Sequence, residues 1–138
     1  MEPTWILVAD SARARLFRVD RPRGPLAEHS GYTNPADRLR AQDLETDAPG
    51  RGGRYPMGDS GAKAHFADRF ARQIVDVLHR GRVAGEFARL YVLAAPSFLG
   101  ALRHVMDAPT TACVVASYAK DVVREQPDGI RRHLPDRL

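Results

Sequence analysis

Two adjacent stretches near the start of the chain constrain its fold more than any others. Residues 5–9 (Trp-Ile-Leu-Val-Ala) form a continuous apolar run, which is typical of a strand buried on both faces. The polar residues 10–13 predict a tight turn, and the alternating pattern of residues 14–19 predicts a second strand. Because so short a connection joins antiparallel strands, the pair forms a hairpin. We expect its first strand to lie at the centre of a sheet.

The second half of the chain alternates predicted helices with predicted strands. The clearest helix covers residues 64–80, where Phe66, Phe70, Ile74 and Leu78 fall on one stripe. After it we predict a strand at 89–95, a helix from Pro96 to Met106, a buried strand at 112–118 and a last helix at 127–134. This order predicts parallel strands with right-handed crossovers. With a weak or edge strand at 26–33, the fold class is α/β: a mixed sheet of about five strands with helices on its faces, as in ribonuclease H-like folds.

A long Gly-rich loop is predicted at residues 33–63. It contains five of the chain's 11 glycines and few hydrophobic residues. Such a loop inside a compact domain is uncommon and is usually functional or disordered. Residues 37–44 favour a helical turn or two, and we expect residues 47–63 to be poorly ordered in the free protein.

The composition fits a single domain that spans residues 1–138. The one cysteine, Cys113, excludes an internal disulfide and is expected to be a small core residue. No apolar run approaches the ~18 residues of a membrane span, and the first apolar run lacks the features of a signal peptide. We therefore expect a cytoplasmic protein without a membrane partner. The net charge of +4 comes mostly from arginine, which indicates either a GC-rich genome or a phosphate-binding face.

The residue patterns of common catalytic sites are absent from the sequence. Asp10 is a possible first metal ligand of a nuclease, but the predicted strand 89–95 ends without a carboxylate, so Asp10 is interpreted as a turn residue. The histidines lack the spacing of a zinc site, and we predict no metal and no cofactor. Ser97 follows Pro96 at a predicted helix start, where exposed N–H groups favour anions. It is either an anion contact or a plain first-turn residue.

Residues 5–17 together with Phe98-Leu99-Gly100-Ala101-Leu102-Arg103 resemble the bacterial host attachment protein family, over nearly the whole chain. That family is similar to the central domain of archaeal and eukaryotic peptide-chain release factors, in which a Gly-Gly-Gln loop precedes a long helix. Gly50-Arg51-Gly52-Gly53-Arg54 stands in the equivalent place here. The resemblance implies that Arg54 replaces the glutamine that helps to place water at the ester of peptidyl-tRNA. Arginine has donors and no acceptor, so it cannot make the same hydrogen bonds.

These observations favour a non-enzymatic, release-factor-like module that binds RNA or the ribosome through its mobile loop and affects host attachment indirectly. One alternative is a hydrolase of a tRNA ester, in which Arg54 stabilises developing negative charge. Another is a surface protein that acts directly in attachment. The candidate binding residues are Arg13, Arg15, Arg51, Gly52, Gly53, Arg54, Arg69 and Arg72.

Overall fold

The computed structural model describes residues 2–36 and 56–138, with side chains described from His65 onward in the first helix. The strands of the described chain are β1 (Thr4–Ala9), β2 (Arg13–Val19), β3 (Ala27–Thr33), β4 (Arg89–Ala94) and β5 (Val114–Ala119). The helices are α1 (Pro56–Val83), α2 (Pro96–Val105), α3 (Ala108–Cys113) and α4 (Pro127–Arg131).

The strands form one mixed sheet in the order β3-β2-β1-β4-β5. β1 lies at its centre, antiparallel to β2 and parallel to β4, so that Leu7 is opposite Leu16 on one side and Val92 on the other. β3 pairs antiparallel with β2 at one edge, and β5 pairs parallel with β4 at the other. The predicted α/β class, the hairpin, the edge strand β3 and the central place of β1 are confirmed.

The sheet separates two hydrophobic cores, because successive side chains of β1 point to opposite faces. On the face that we call the helical face, Trp5 and Leu7 pack with residues of α1 and α2. On the opposite face, Ile6 and Val8 pack with residues from the end of the chain. We call residues 120–138 the C-terminal segment and the side that they cover the tail face.

Helix α1 begins at Pro56, eight residues before the predicted start. Residues 56–63, which were expected to belong to a poorly ordered loop, are therefore helical. Proline suits the first helical turn because its missing N–H would be unpaired there in any case. The predicted stripe is confirmed, since Phe70, Ile74 and Leu78 are buried. The predictions for residues 37–55, including disorder from 47 onward, lie outside the described residues.

Two glycines in helices have roles opposite to those that the sequence indicates. A Cβ at Gly100, where a close helix–sheet contact was expected, would meet nothing within 4 Å. A Cβ at Gly81, which was expected to loosen the end of α1, would lie 2.5 Å from the Trp5 ring. Helix α1 continues past it to Val83, and Gly85 follows with a φ of +75°. Gly81 is therefore the position that permits close packing.

The strand predicted at 112–118 begins only at Val114, because the preceding residues form helix α3. Asp107 caps this helix by accepting a hydrogen bond from the Thr110 N–H. β5 is also not a buried strand: it lies at the sheet edge, and Val115 is 44% exposed. Accordingly Cys113 is only half-buried. An apolar run does not by itself distinguish a central strand from an edge strand.

Candidate nucleic-acid interface

Asn34 joins three parts of the chain at the carboxyl end of β1. Its side chain Nδ2 donates to the carbonyl oxygens of Ser11 (2.9 Å) and Phe66 (3.4 Å). Its Oδ1 accepts from the Ala36 N–H at 3.0 Å, and its own N–H donates to the Ala12 carbonyl at 2.8 Å. Asn34 thus holds the β1–β2 turn, helix α1 and the residues that precede position 37 together. We call this end of the sheet the loop end.

The β1–β2 turn is organised by Asp10. Its Oδ1 accepts hydrogen bonds from the N–H groups of Ala12 and Arg13, both at 2.8 Å. This confirms Asp10 as a turn residue whose side chain bonds its own backbone. In the part of the chain that the structure describes, no group of three or more His, Cys, Asp and Glu side chains could hold a metal ion.

A cleft of about 560 Å³ lies between residues 34–36 and helix α1. Its lining on the helix side consists of Phe66, Arg69, Phe70, Arg72 and Gln73. Arg69 is exposed, whereas the Nε of Arg72 donates to the Asp68 carboxylate at 3.0 Å, as its i,i+4 spacing predicts. The cleft therefore presents an aromatic wall and arginines beside the point where the chain enters residues 37–55.

Arg15 has a structural role. Its Nη1 donates to the carbonyl oxygens of Val123 (2.8 Å) and Glu125 (2.7 Å), and its Nη2 lies 3.2 Å from the Glu28 carboxylate. The guanidinium also stands over the Phe17 ring, 4.9 Å from the centroid. Its donors thus hold the C-terminal segment against β2 and β3, although Arg15 was predicted to bind a ligand.

Arg13 lies two residues before Arg15 on β2 and has the same orientation. It is exposed and lines a cleft of about 470 Å³ together with Arg15 and residues 123–126, including Arg124. Four of the candidate arginines therefore meet at the loop end but on two sides of the sheet. Arg13 and Arg15 lie on the tail face, and Arg69 and Arg72 lie on α1.

The remaining loop candidates, Arg51, Gly52, Gly53 and Arg54, lie outside the described residues. Helix α1 runs from the loop end towards the start of β1, because Phe66 contacts Asn34 whereas Gly81 lies against Trp5. Residue 36 and the first turns of α1 therefore both lie on the loop-end side of the molecule.

Ser97 also belongs to the loop end. The Ala95 N–H donates to the Ala9 carbonyl at 3.1 Å, which places the start of α2 beside the end of β1. Ser97 is exposed in the first turn, and no side chain caps this helix. The first N–H groups of α2 are therefore not bound by a side-chain cap at this exposed position, and both interpretations of Ser97 remain open.

Sequence reasoning missed two residues that build this end. Asn34 was interpreted only as the end of a strand, since nothing in an Asn-Pro pair indicates that the amide side chain is buried. Arg124 was not selected because it lies far from the hairpin in sequence. Only the pairing of Arg15 with Val123 and Glu125 brings Arg124 beside Arg13.

Fold and site together define an α/β protein with a central mixed sheet and an arginine-lined loop end. The chain belongs to the family described as "Protein required for attachment to host cells", whose sequence model matches residues 5–134. This confirms the resemblance to the host attachment protein family. No curated protein matches the chain. Among the described helices, none is long and apolar enough to cross a membrane.

Proposed function

We propose that this protein is a release-factor-like module of the cytoplasm that binds RNA or the translation apparatus through its loop end. The observation that supports this most is the Asn34 junction. It holds the β1–β2 turn, which precedes the exposed Arg13, against the part of α1 that carries the exposed Arg69. In sequence, the stretch with Gly52 and Gly53 lies between Asn34 and this helix, and glycines beside cationic side chains suit approach to a polyanion.

The order of elements supports a fold like the release-factor central domain, which is ribonuclease H-like in the finer classification. An antiparallel hairpin leads into β3, then into the Gly-rich stretch, and then into the long helix α1. Arg54 stands two residues before Pro56, where that helix begins. In release factors the Gly-Gly-Gln loop has the same position, between an early strand and a long helix.

The side chains support binding rather than hydrolysis. Arginine presents a planar fork of donors that matches phosphate oxygens, and its charge persists at any physiological pH. Arg54 supplies no acceptor with which to orient an attacking water, unlike the glutamine that it replaces. The part in host attachment is then indirect, through the synthesis of other proteins.

Ribosome sedimentation tests this proposal. Purified full-length protein is centrifuged through sucrose with ribosomes at low salt, and the pelleted fraction is measured. We expect the wild type to pellet with ribosomes. The variant Arg51→Gln/Arg54→Gln should bind about 10-fold more weakly, and Arg13→Gln/Arg69→Gln should show a similar loss. Raising the salt concentration should release the protein, because phosphate contacts displace counterions.

Arg80→Gln is the matched control. Arg80 lies on the same helix as Arg69 but 11 positions further along, paired with Asp76. It should sediment like the wild type. A wild-type protein that stays wholly outside the ribosome fractions, and that does not bind single-stranded RNA either, contradicts the proposal. Release of label from peptidyl-tRNA by the wild type would favour a tRNA-ester hydrolase instead.

A further inference from the structure

A second cluster of arginines lies at the opposite end of the sheet. The β2–β3 turn and the end of the chain enclose a cleft of about 430 Å³, lined by Arg21, Pro22, Arg23, Gly24, Pro25 and Arg137. Thr4 pairs with Val19, so this turn lies beside the amino end of β1. With a rise of about 3.3 Å per residue, β1 separates the cleft from the loop end by about 20 Å.

The backbone around this cleft is held by hydrogen bonds that do not involve the guanidinium groups of Arg21, Arg23 and Arg137. The Gly24 N–H donates to the Arg21 carbonyl at 2.9 Å and closes the turn. The Leu138 N–H donates to the Pro22 carbonyl at 2.8 Å and attaches the end of the chain to the turn. Arg131 reinforces the junction from beneath, since its Nε donates to the Gly24 carbonyl at 3.1 Å.

Arg21, Arg23 and Arg137 are all exposed, and the cleft lining contains no acidic side chain. Over residues 2–36 and 65–138, none of the three forms a salt bridge or a side-chain hydrogen bond. The nearest acid before the turn, Asp20, lies 3.4 Å from Arg18. Three like charges held around one concave surface repel one another, and an anion in the cleft relieves that repulsion.

We propose that this cleft is a binding site for adjacent phosphate groups. The arginine fork matches phosphate oxygens in a bidentate manner, and the cleft has the volume of a small-ligand pocket. Two sources share this chemistry: a free polyphosphate and the backbone of a nucleic acid. The site is separate from the loop end and stands whether or not the proposed function is correct.

Calorimetric titration with sodium tripolyphosphate tests the site, using the full chain at low salt. We expect saturable binding by the wild type and a loss of at least 10-fold in the variant Arg21→Gln/Arg23→Gln/Arg137→Gln. Arg132→Gln is the control, because Arg132 is exposed, lies outside the cleft lining and forms no salt bridge within the described residues. It should bind tripolyphosphate like the wild type. Amide shifts in an NMR titration should concentrate on residues 21–26 and 136–138.

A second arm identifies the source of the phosphate. If RNA is the ligand, the triple variant should also bind a single-stranded RNA oligomer more weakly, with a log–log salt slope reduced by about 2 for three lost contacts. Loss of tripolyphosphate binding alone indicates a free polyphosphate. The loop-end variant Arg51→Gln/Arg54→Gln should retain tripolyphosphate binding, which separates this site from the proposed function. Absence of saturable binding in the wild type, or unchanged binding in a triple variant with an unchanged melting temperature, overturns the proposal.

Discussion

The two faces of the sheet are covered in different ways. The helical face is covered by α1 and α2, and away from their ends the backbone groups of a helix are satisfied within it. The tail face is covered by the C-terminal segment, of which only Pro127–Arg131 is helical. Irregular backbone packed on a core must find its hydrogen-bond partners elsewhere. Local backbone bonds supply some of them, and the side chains of Arg15 and Arg131 supply others.

Arg15 and Arg131 act as these partners. Arg15 binds the carbonyl oxygens of Val123 and Glu125 near the start of the segment. Arg131 donates to four carbonyl oxygens: those of Pro135 and Asp136 in the segment, and those of Pro22 and Gly24 in the β2–β3 turn. The apolar anchors of the segment bury surface, and the arginine bonds tie its backbone to the neighbouring strands and turn. The comparison teaches that a non-helical layer depends on a few long-range polar contacts.

Replacement of Arg131 with Met should have the largest effect of the changes considered. Methionine keeps the length of the half-buried side chain but removes every donor, leaving four carbonyl oxygens without this partner. We expect a loss of about 2–3 kcal/mol in the free energy of unfolding, since a hydrogen bond to a charged group contributes about 1.5–3 kcal/mol. Urea unfolding measures the loss.

Hydrogen exchange shows whether that loss is local. The hydrogen-bonded amides of Glu125, Ile130 and Leu134 should lose protection in the Arg131 variant, while those of α1 keep most of theirs. Arg132→Met is the matched control, because Arg132 is the exposed neighbour and its side chain makes no hydrogen bond within the described residues. Equal loss of protection on both faces would show that the C-terminal segment does not unfold separately from the rest of the protein.

Replacement of Gly81 with Ala tests the helical face. The new methyl group would lie 2.5 Å and 2.7 Å from two carbons of the Trp5 ring, which is only 2% exposed. Either the ring or helix α1 must then move. Overpacking of this kind costs about 1–3 kcal/mol and is offset by about 1 kcal/mol through the better helix propensity of alanine, so we expect a net loss of about 1 kcal/mol.

The readout for Gly81→Ala should differ from that of the Arg131 variant. Because Trp5 belongs to the central strand, protection should fall throughout the sheet rather than in the C-terminal segment alone. The fluorescence of this single tryptophan reports its displacement directly. An unchanged unfolding midpoint would mean that the ring moves aside at no cost.

The difference between the faces also explains what could be predicted from the sequence. Helix α1 was predictable because Phe70, Ile74 and Leu78 repeat with the helical period, and strands β1 and β4 because they are apolar runs. The arginine contacts on the tail face could not be predicted, since Arg15 and Val123 are 108 positions apart in the sequence. Exposed and buried arginines look alike in a sequence. For the same reason Arg13 and Arg15 were selected together, although only Arg13 is exposed.

The two helical glycines show the same limit at single positions. A glycine in a helix indicates either a close contact or a tolerated cost, and the letter alone does not distinguish them. Which of the two applies depends on residues from other elements. At Gly81 a Cβ would meet Trp5 and Phe87, so this glycine permits a close contact. At Gly100 a Cβ would meet nothing within 4 Å, so this glycine is a tolerated cost.

Replacement of Gly100 with Ala should stabilise the protein. The position lies inside α2, is exposed, and offers open space to a Cβ. Alanine is favoured over glycine by about 0.5–1 kcal/mol in a helix, largely because it restricts the unfolded chain. The midpoint of thermal unfolding should rise by a few degrees. A fall would reveal a contact of Gly100 that its surroundings in the described residues do not show.

The smallest predicted effect concerns pH. Arginine stays charged throughout the physiological range, so the bonds that Arg15 and Arg131 donate to backbone carbonyl oxygens should not respond to pH. On the helical side, Asp107 caps α3, and its carboxylate lies 3.8 Å from both His79 and Arg82 of α1. Partial burial opposes ionisation, but hydrogen bonds from Thr110 and the charge of His79 outweigh it, so the pKa of Asp107 is lowered.

A lowered folded-state pKa fixes the sign of the pH effect. The ionised carboxylate stabilises the fold above its unfolded-state pKa of about 3.9, and that contribution is lost as the pH falls through the folded value. Asn caps a helix about as well as Asp but cannot ionise. Asp107→Asn should therefore cost a few tenths of a kcal/mol at pH 6, the usual size of a charge at a helix end, and less at pH 3. Urea unfolding of both proteins at the two pH values measures this. If the difference in unfolding free energy between the two proteins grows towards pH 3, the ionised carboxylate does not stabilise this contact.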